Sequence, residues 1–339
     1  MSKLDRIIWN VWVTSRCNLD CKYCYITEAK RDASFDQARI PRLIDFILEY
    51  SMNYDQMIIN FMGGEPLLEY PIIREIADSL QERWYGKLQF SLTTNGILVN
   101  DEMVTFFKEH GFAISLSWDG CKEINDLYRI DRNGNGTYYK ILNTYNEFRD
   151  RGFANIRIRS TFNSKSIKYL KDSVKDFIHI DKNINVIFIP DYFDDGWNSE
   201  NLSELNIISN EVNKNAGNRI SIIGRSNLIK SSCSGGIYSF HIYCNGKIYP
   251  CSYVVGKMEY IIGDLENGFE EAKIHELSEM YSLHINECNG CDYEKYCLTY
   301  KCRYLNLVLS GDMNTPSPIV CSLENIKMCN SVMLKGKEK

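Results

Sequence analysis

Residues 15–25 read SRCNLDCKYCY and place Cys17, Cys21 and Cys24 within eight positions, directly behind the apolar run IIWNVWV. A disulfide takes two thiols and a structural zinc site takes four protein ligands, so three thiolates leave a vacancy. A second group of cysteines, Cys233, Cys244, Cys251, Cys288, Cys291, Cys297, Cys302 and Cys321, crowds the last third of the chain, with Cys121 and Cys329 standing apart. Thirteen cysteines clustered in this way read as metal ligands rather than as disulfides. By spacing alone, CxxxCxxC also suits a partial zinc site completed from a distance, and CxxC followed by a further cysteine pair suits a zinc ribbon.

The chain has 339 residues, 44% of them hydrophobic, enough for one large core or for a core with a satellite domain. A formal net charge of -5 without a long basic run argues against a nucleic-acid partner. Charged or polar residues interrupt every short apolar stretch of MSKLDRIIWNVWVTSRC, which therefore reads neither as a signal peptide nor as a membrane span. A cytoplasmic location without a membrane partner is expected, where thiols stay reduced.

The elements that must position these thiols alternate. Runs rich in β-branched and aromatic residues fall at 7–13, 56–62, 88–94, 112–118, 155–162 and 184–189, and helical periodicity follows at 40–52, 72–84, 103–110, 138–152 and 167–178. Such alternation predicts a parallel α/β sheet with crossover helices, and six units curl into a partial barrel as readily as they open into a doubly wound sheet. In either arrangement ligand chemistry belongs at the carboxyl ends of the strands. The three cysteines follow the first strand there, GGEP (63–66) the second, TTNG (93–96) ends the third and SWDG (117–120) the fourth, so all four segments share one rim.

CxxxCxxC with Tyr23 before its last cysteine, the downstream GGE, SWDG and INDLYR together resemble the radical S-adenosylmethionine (radical SAM) enzymes, and the resemblance runs to about residue 162 before resuming in the C-terminal cysteines. It implies a partial (β/α)6 barrel in which Cys17, Cys21 and Cys24 bind three irons of a [4Fe-4S] cubane and the fourth iron chelates the amine and carboxylate of SAM. An electron from the cluster then releases methionine and a 5′-deoxyadenosyl radical, which abstracts hydrogen from a substrate. Tyr23, Gly63, Gly64, Glu65, Asn95, Ser117, Asp119 and Arg129 are the implied cofactor contacts. The glycines would allow a close backbone approach, Glu65 would supply carbonyl or carboxylate density to the SAM ammonium, and Ser117 and Arg129 would meet polar groups of SAM.

The last third, Cys233-x12-Gly246-x4-Cys251, then Cys288-x2-Cys291-x5-Cys297-x4-Cys302, then Cys321, resembles the SPASM extension of these enzymes, with one residue more than usual before Cys302. The implied division is a radical SAM partial barrel over 1–215 and a SPASM domain over 216–339 holding two auxiliary [4Fe-4S] clusters, three clusters in all. Carried over, Cys233, Cys251 and Cys302 bind the inner cluster and Cys288, Cys291, Cys297 and Cys321 the outer one. Asn245-Gly246 reads as a hairpin turn that folds Cys244 back toward Cys251 as fourth inner ligand; the alternative is an open iron. Cys121 reads as a small buried hydrophobe, and residues 324–339 as a fraying tail.

Enzymes of this double architecture mostly modify peptides or proteins, and two auxiliary clusters suit an oxidation, since a substrate radical must still lose an electron. The match to anaerobic sulfatase-maturing enzymes extends through NGNGTYYK (133–140), yet their aspartate base after the GxxxxC cysteine is replaced by Ser252, whose hydroxyl is no base without a partner. Crosslinking of a ribosomally made peptide, through a thioether or a carbon–carbon bond, therefore ranks above sulfatase maturation; a non-catalytic iron–sulfur or zinc protein is the alternative of another class. The first strand begins within a few residues of Met1, so a separate leader-binding protein is an expected partner unless the barrel mouth grips the peptide. A flavodoxin- or ferredoxin-type donor would supply electrons. Asp191, Tyr192, Asp194 and Asp195 read either as a solvated turn or as a grip on the substrate.

Overall fold

The structure is a computed structural model that describes residues 4–26, 32–215, 219–223, 233–297 and 301–335. β1 (Leu4–Thr14), β2 (Tyr54–Gly63), β3 (Lys87–Thr94), β4 (Ala113–Ser117), β5 (Ile156–Phe162), β6 (Val186–Pro190) and β7 (Ile220–Ile222) pair in parallel, each with the next in sequence. Parallel neighbours need crossovers, and these are α1 (Ile40–Ser51), α2 (Tyr70–Arg83), α3 (Asp101–Glu109), α4 (Lys122–Tyr128) with α5 (Tyr138–Asp150), α6 (Leu170–Ile180) and α7 (Ser199–Asn215). The sheet does not close, so the curled α/β arrangement is an open, partial barrel.

Side-chain alternation assigns the two faces. On β1, Trp9, Val11 and Val13 are fully buried beneath the helices; the Trp9 ring meets Phe46 of α1 edge-on at 5.7 Å and its Nε1 donates to Ser51 Oγ at 3.0 Å. Phe61, Phe90 and Phe112 continue this layer, with Phe90 and Phe112 stacked at 5.1 Å. Truncating Trp9 to alanine removes the largest of these side chains and costs about 3–5 kcal/mol. The concave face is polar by contrast: Asn60 Nδ2 donates to Asn10 Oδ1 at 2.9 Å and the Ser91 hydroxyl donates to Asn60 Oδ1.

The C-terminal segment extends the same sheet. β8 (Ser239–Ile242) pairs in parallel with β1, in register Ile8↔Ser239 to Val11↔Ile242. β9 (Lys247–Tyr249), β10 (Gly263–Asp264) and β11 (Gly268–Phe269) follow as antiparallel neighbours. Asn10 Nδ2 donates to the Phe240 carbonyl at 3.1 Å and Trp12 Nε1 to His241 Nδ1 at 3.2 Å, which ties this strand to the barrel wall. β7 and β8 both lie beyond residue 215, so the sheet has no break at the 215/216 division. Residues 318–335 form a helix packed against α7 rather than the frayed tail expected from their polarity. No helix among the described residues is long and apolar enough to cross a membrane.

Candidate active site and cysteine groups

The register of β1 shifts between Trp12 and Thr14, and a bulge of this kind re-aims the strand end into the loop that carries Cys17, Cys21 and Cys24. That loop is held from two sides. On one, Gly64 N donates to Thr14 O at 3.1 Å and Glu65 N to Arg16 O at 2.8 Å. A Cβ on Gly63 would stand 2.2 Å from Thr14 O, and one on Gly64 2.3 Å from Arg16 O. The close approach that these glycines permit is therefore to the backbone of the cysteine loop. On the other side, Asp20 N donates to Ile130 O at 2.8 Å, Lys22 N to Tyr128 O at 3.0 Å and Arg132 Nη2 to Cys17 O at 2.7 Å.

The Glu65 carboxylate is buried and turned inward, accepting from Thr94 Oγ1 at 2.7 Å, Asn95 N at 2.7 Å and Leu67 N at 3.1 Å. Burial pushes its carboxyl up, and these three donors pull it back. The carboxylate thereby joins the second and third rim segments. Asn95 in turn donates from Nδ2 to Asn18 Oδ1 at 2.8 Å, beside Cys17.

The half-buried Tyr23 joins the buried Asp119 and Arg129 in a triad. The Tyr23 hydroxyl donates to Asp119 Oδ2 and accepts from Arg129 Nη1 at 2.5 Å; Asp119 Oδ1 accepts from Thr161 N at 2.9 Å, and the guanidinium stands 3.8 Å from the carboxylate. Burial pushes the Asp119 carboxyl up and Arg129 opposes it. The Arg129 charge also bears on Cys21, whose thiol burial pushes up to about 11. Two polar groups here lack partners: Arg129 Nε is buried without a hydrogen bond, and the Ser117 hydroxyl, at the end of β4, bonds to no described residue. A carboxylate with neighbouring hydroxyls, as in SAM, fits those two groups.

Beside the triad a cavity of about 450 Å3 separates the cysteine loop from the C-terminal segment. Its lining includes Trp12, Tyr23, Cys24 and Tyr25 on one side and Asp191, Phe193, Ser252 and Tyr253 on the other. The rings of Tyr25 and Tyr253 approach to 6.2 Å, and those of Phe193 and Tyr253 to 6.0 Å. Asp191, which the sequence offered as either a solvated turn or a substrate grip, lies on the cavity wall at the end of β6, whereas Tyr253 was not assigned.

The cysteines fall into three neighbourhoods defined by which thiols act electrostatically on one another. Cys17 and Cys24 bear on Cys21; Cys233 and Cys302 bear on Cys251; Cys291, Cys297 and Cys321 bear on Cys288. Burial pushes the Cys302 thiol up to about 12 and Cys288 to about 11. No three His, Cys, Asp or Glu side chains among the described residues stand close enough to share a single metal ion. Thiols grouped in this manner fit cubanes, in which each thiolate takes its own iron. The Tyr281 hydroxyl, buried beside the Cys233 thiol, is a further donor that a cluster sulfur would satisfy.

Cys244 does not join the inner group. The turn closes with Gly246 N donating to Tyr243 O at 2.7 Å, so Cys244 occupies the tip of the β8–β9 hairpin while Cys251 lies past its open end. At ~3.3 Å per residue along β9, the hairpin holds the two apart instead of folding them together. Tyr243 and Asp32 bear on Cys244.

A three-thiol loop at the mouth of a parallel partial barrel, with an uncommitted guanidinium nitrogen and hydroxyl beside it, defines a radical SAM enzyme. The family model of the Radical SAM superfamily matches residues 12–179, and the chain belongs to that superfamily. A cysteine-type anaerobic sulfatase-maturating enzyme of Clostridium novyi is 27% identical over 327 residues, covering 84% of each chain. A serine-type anaerobic sulfatase-maturating enzyme of Klebsiella aerogenes is 35% identical over 131 residues, 37% of this chain and 32% of that one. Among solved structures, anSMEcpe with bound AdoMet and Kp18Cys peptide superposes with TM-score 0.77 at 20% identity, covering 97% of both chains. SuiB of Streptococcus suis bound to S-adenosylmethionine gives TM-score 0.69 at 16% identity over 94% of this chain and 77% of that one. Membership makes SAM and a [4Fe-4S] cluster the cofactors of this protein.

Proposed function

We propose that the protein oxidatively modifies a side chain or backbone position of a peptide or protein, with crosslinking of a ribosomally made peptide as the leading reaction. The observation that carries this reading is the cavity between Cys24 and Ser252, which joins the first cysteine group to the C-terminal ones. When bound, the cluster and SAM supply hydrogen-atom abstraction; the chain itself supplies position, enclosure and an exit for electrons. Cys17, Cys21 and Cys24 hold the SAM cluster, with Arg129 and Ser117 toward the SAM carboxylate and hydroxyls.

Cys233, Cys251 and Cys302 hold an inner auxiliary cluster, and Cys288, Cys291, Cys297 and Cys321 an outer one. Tyr25, within electrostatic reach of both Cys24 and Cys251, lies on the route between the first two groups, and Tyr192, near Cys302 and Cys297, on the route between the last two. An oxidised substrate also sheds a proton. Ser252 offers no carboxylate there, whereas Asp191 on the cavity wall does, and burial raises its carboxyl toward neutrality. A flavodoxin- or ferredoxin-type donor, a cytoplasmic location and a separate leader-binding protein complete the reading.

Sulfatase maturation is the second reading, favoured by the Clostridium novyi relative that this chain matches over 84% of both lengths. One experiment separates the two. Anaerobically reconstituted protein is incubated with SAM, reductant and either a cysteine-rich or aromatic-rich peptide encoded beside it or a sulfatase-derived peptide. Mass spectrometry then reads a crosslink in the first or formylglycine in the second; modification of neither peptide counts against both.

A further inference from the structure

The concave wall of the barrel carries positive charge that no described residue neutralises. Burial alternates along β5: Ile158, Ser160 and Phe162 are buried beneath the helices, whereas Arg157 and Arg159 are exposed on the opposite face. Neither guanidinium forms an ion pair or side-chain hydrogen bond with any described residue. Several other polar side chains of this face, Asn10, Asn60, Ser91, Ser239 and His241, are hydrogen-bonded to one another or to β1.

Arg159 sits at a specific place. Its Cα is the register partner of Ser117, the residue with the uncommitted hydroxyl on the SAM side, and its carbonyl accepts from Trp118 N at 3.1 Å. Its charge acts on the phenols of Tyr25 and Tyr192, one on the cysteine loop and the other beyond β6. Arg159 thus neighbours Ser117 across the sheet and acts on Tyr25 of the cavity wall. Two lysines, Lys22 and Lys257, line that cavity against one carboxylate, Asp191. A chain of net charge -5 has therefore concentrated cations where substrate must enter.

We infer that Arg159, supported by Arg157, is an anion subsite that receives a carboxylate of the substrate, an acidic side chain or a free C-terminus next to the modified residue. Planar, bidentate pairing makes arginine selective for carboxylate over its amide isostere. This deepens the proposed function and rests on it, since the lumen must be where substrate binds.

The test uses reconstituted full-length protein and two capped peptides, Ala-Ala-Glu-Ala-Ala and its Gln counterpart, measured by ligand-observed NMR with S-adenosylhomocysteine present. The Glu peptide is expected to bind about ten-fold more tightly than the Gln peptide. That preference should vanish in Arg159→Gln and partly return in Arg159→Lys. Equal binding of the two peptides, or a preference that survives Arg159→Gln, overturns the proposal. So does a loss of SAM affinity in Arg159→Gln with the peptide preference intact, which would assign the guanidinium to the SAM carboxylate. Failure of the wild-type protein to cleave SAM is read separately and strikes the functional reading instead.

Discussion

The Tyr23 hydroxyl donates to the Asp119 carboxylate while accepting from Arg129, so the cysteine loop, the end of β4 and the end of α4 are locked by one phenol. Removing Arg129 leaves Asp119 as an unpaired buried charge. Arg129→Gln should cost about 3–5 kcal/mol in urea unfolding, and Tyr23→Phe about 1–3 kcal/mol. Calorimetry should show weaker SAM binding in both. Unchanged SAM affinity in Arg129→Gln would remove the guanidinium from the SAM site.

Glu65 offers a second case in which a rim carboxylate acts through its neighbours. Glu65→Gln keeps the shape but presents an amide where three donors converge from Thr94, Asn95 and Leu67. A loss of about 2 kcal/mol is expected, with a larger loss in Glu65→Ala. A Glu65→Gln variant of full stability with abolished SAM binding would instead mark the carboxylate as a direct ligand.

The rim was legible in the sequence because each motif directly follows a strand, and strand ends are fixed by local composition. Partners across the rim were not. Nothing local says that Glu65 turns toward Thr94 and Asn95, or that Gly63 and Gly64 pack on Thr14 and Arg16, since those contacts are set by how two strand ends cross. Asn245-Gly246 correctly announced a hairpin, but a turn signal does not say which cysteine sits at the tip and which beyond the open end; Cys244 drew the wrong inference from a right observation. β8 joining β1 spans some 230 positions of sequence, beyond any periodicity. Arg157 and Arg159 were passed over because alternating basic residues in a strand read as a solvated face until the sheet curls.

The three cysteine neighbourhoods predict distinct iron contents. Cys302→Ala and Cys291→Ala should each reduce iron per chain after anaerobic reconstitution, while Cys244→Ala, at the hairpin tip, should retain the wild-type content. Equal iron loss in Cys244→Ala and Cys302→Ala would return Cys244 to the inner group.

His241 sets a pH dependence. Burial pulls its pKa from the ordinary 6.5 to about 3, and Trp12 Nε1 donates to Nδ1, which a proton there would displace. The unfolded chain takes up this proton below pH 6.5 and the folded chain does not until about 3, so stability present above pH 6.5 is lost as pH falls across that window. The slope reaches about 1.4 kcal/mol per pH unit. Thermal unfolding from pH 7 to 4 should be flatter in His241→Asn; an identical slope would place the proton uptake elsewhere.

The account stands or falls on the three-thiol loop, and the direct measurement is the 5′-deoxyadenosine formed by reconstituted, reduced protein given SAM alone. The wild-type chain should release it, Cys24→Ala should release none, and Cys291→Ala should retain part of the release. A wild-type protein that loads iron yet leaves SAM intact, or a Cys24→Ala variant that still cleaves it, would contradict the claim that Cys17, Cys21 and Cys24 build the SAM-binding centre.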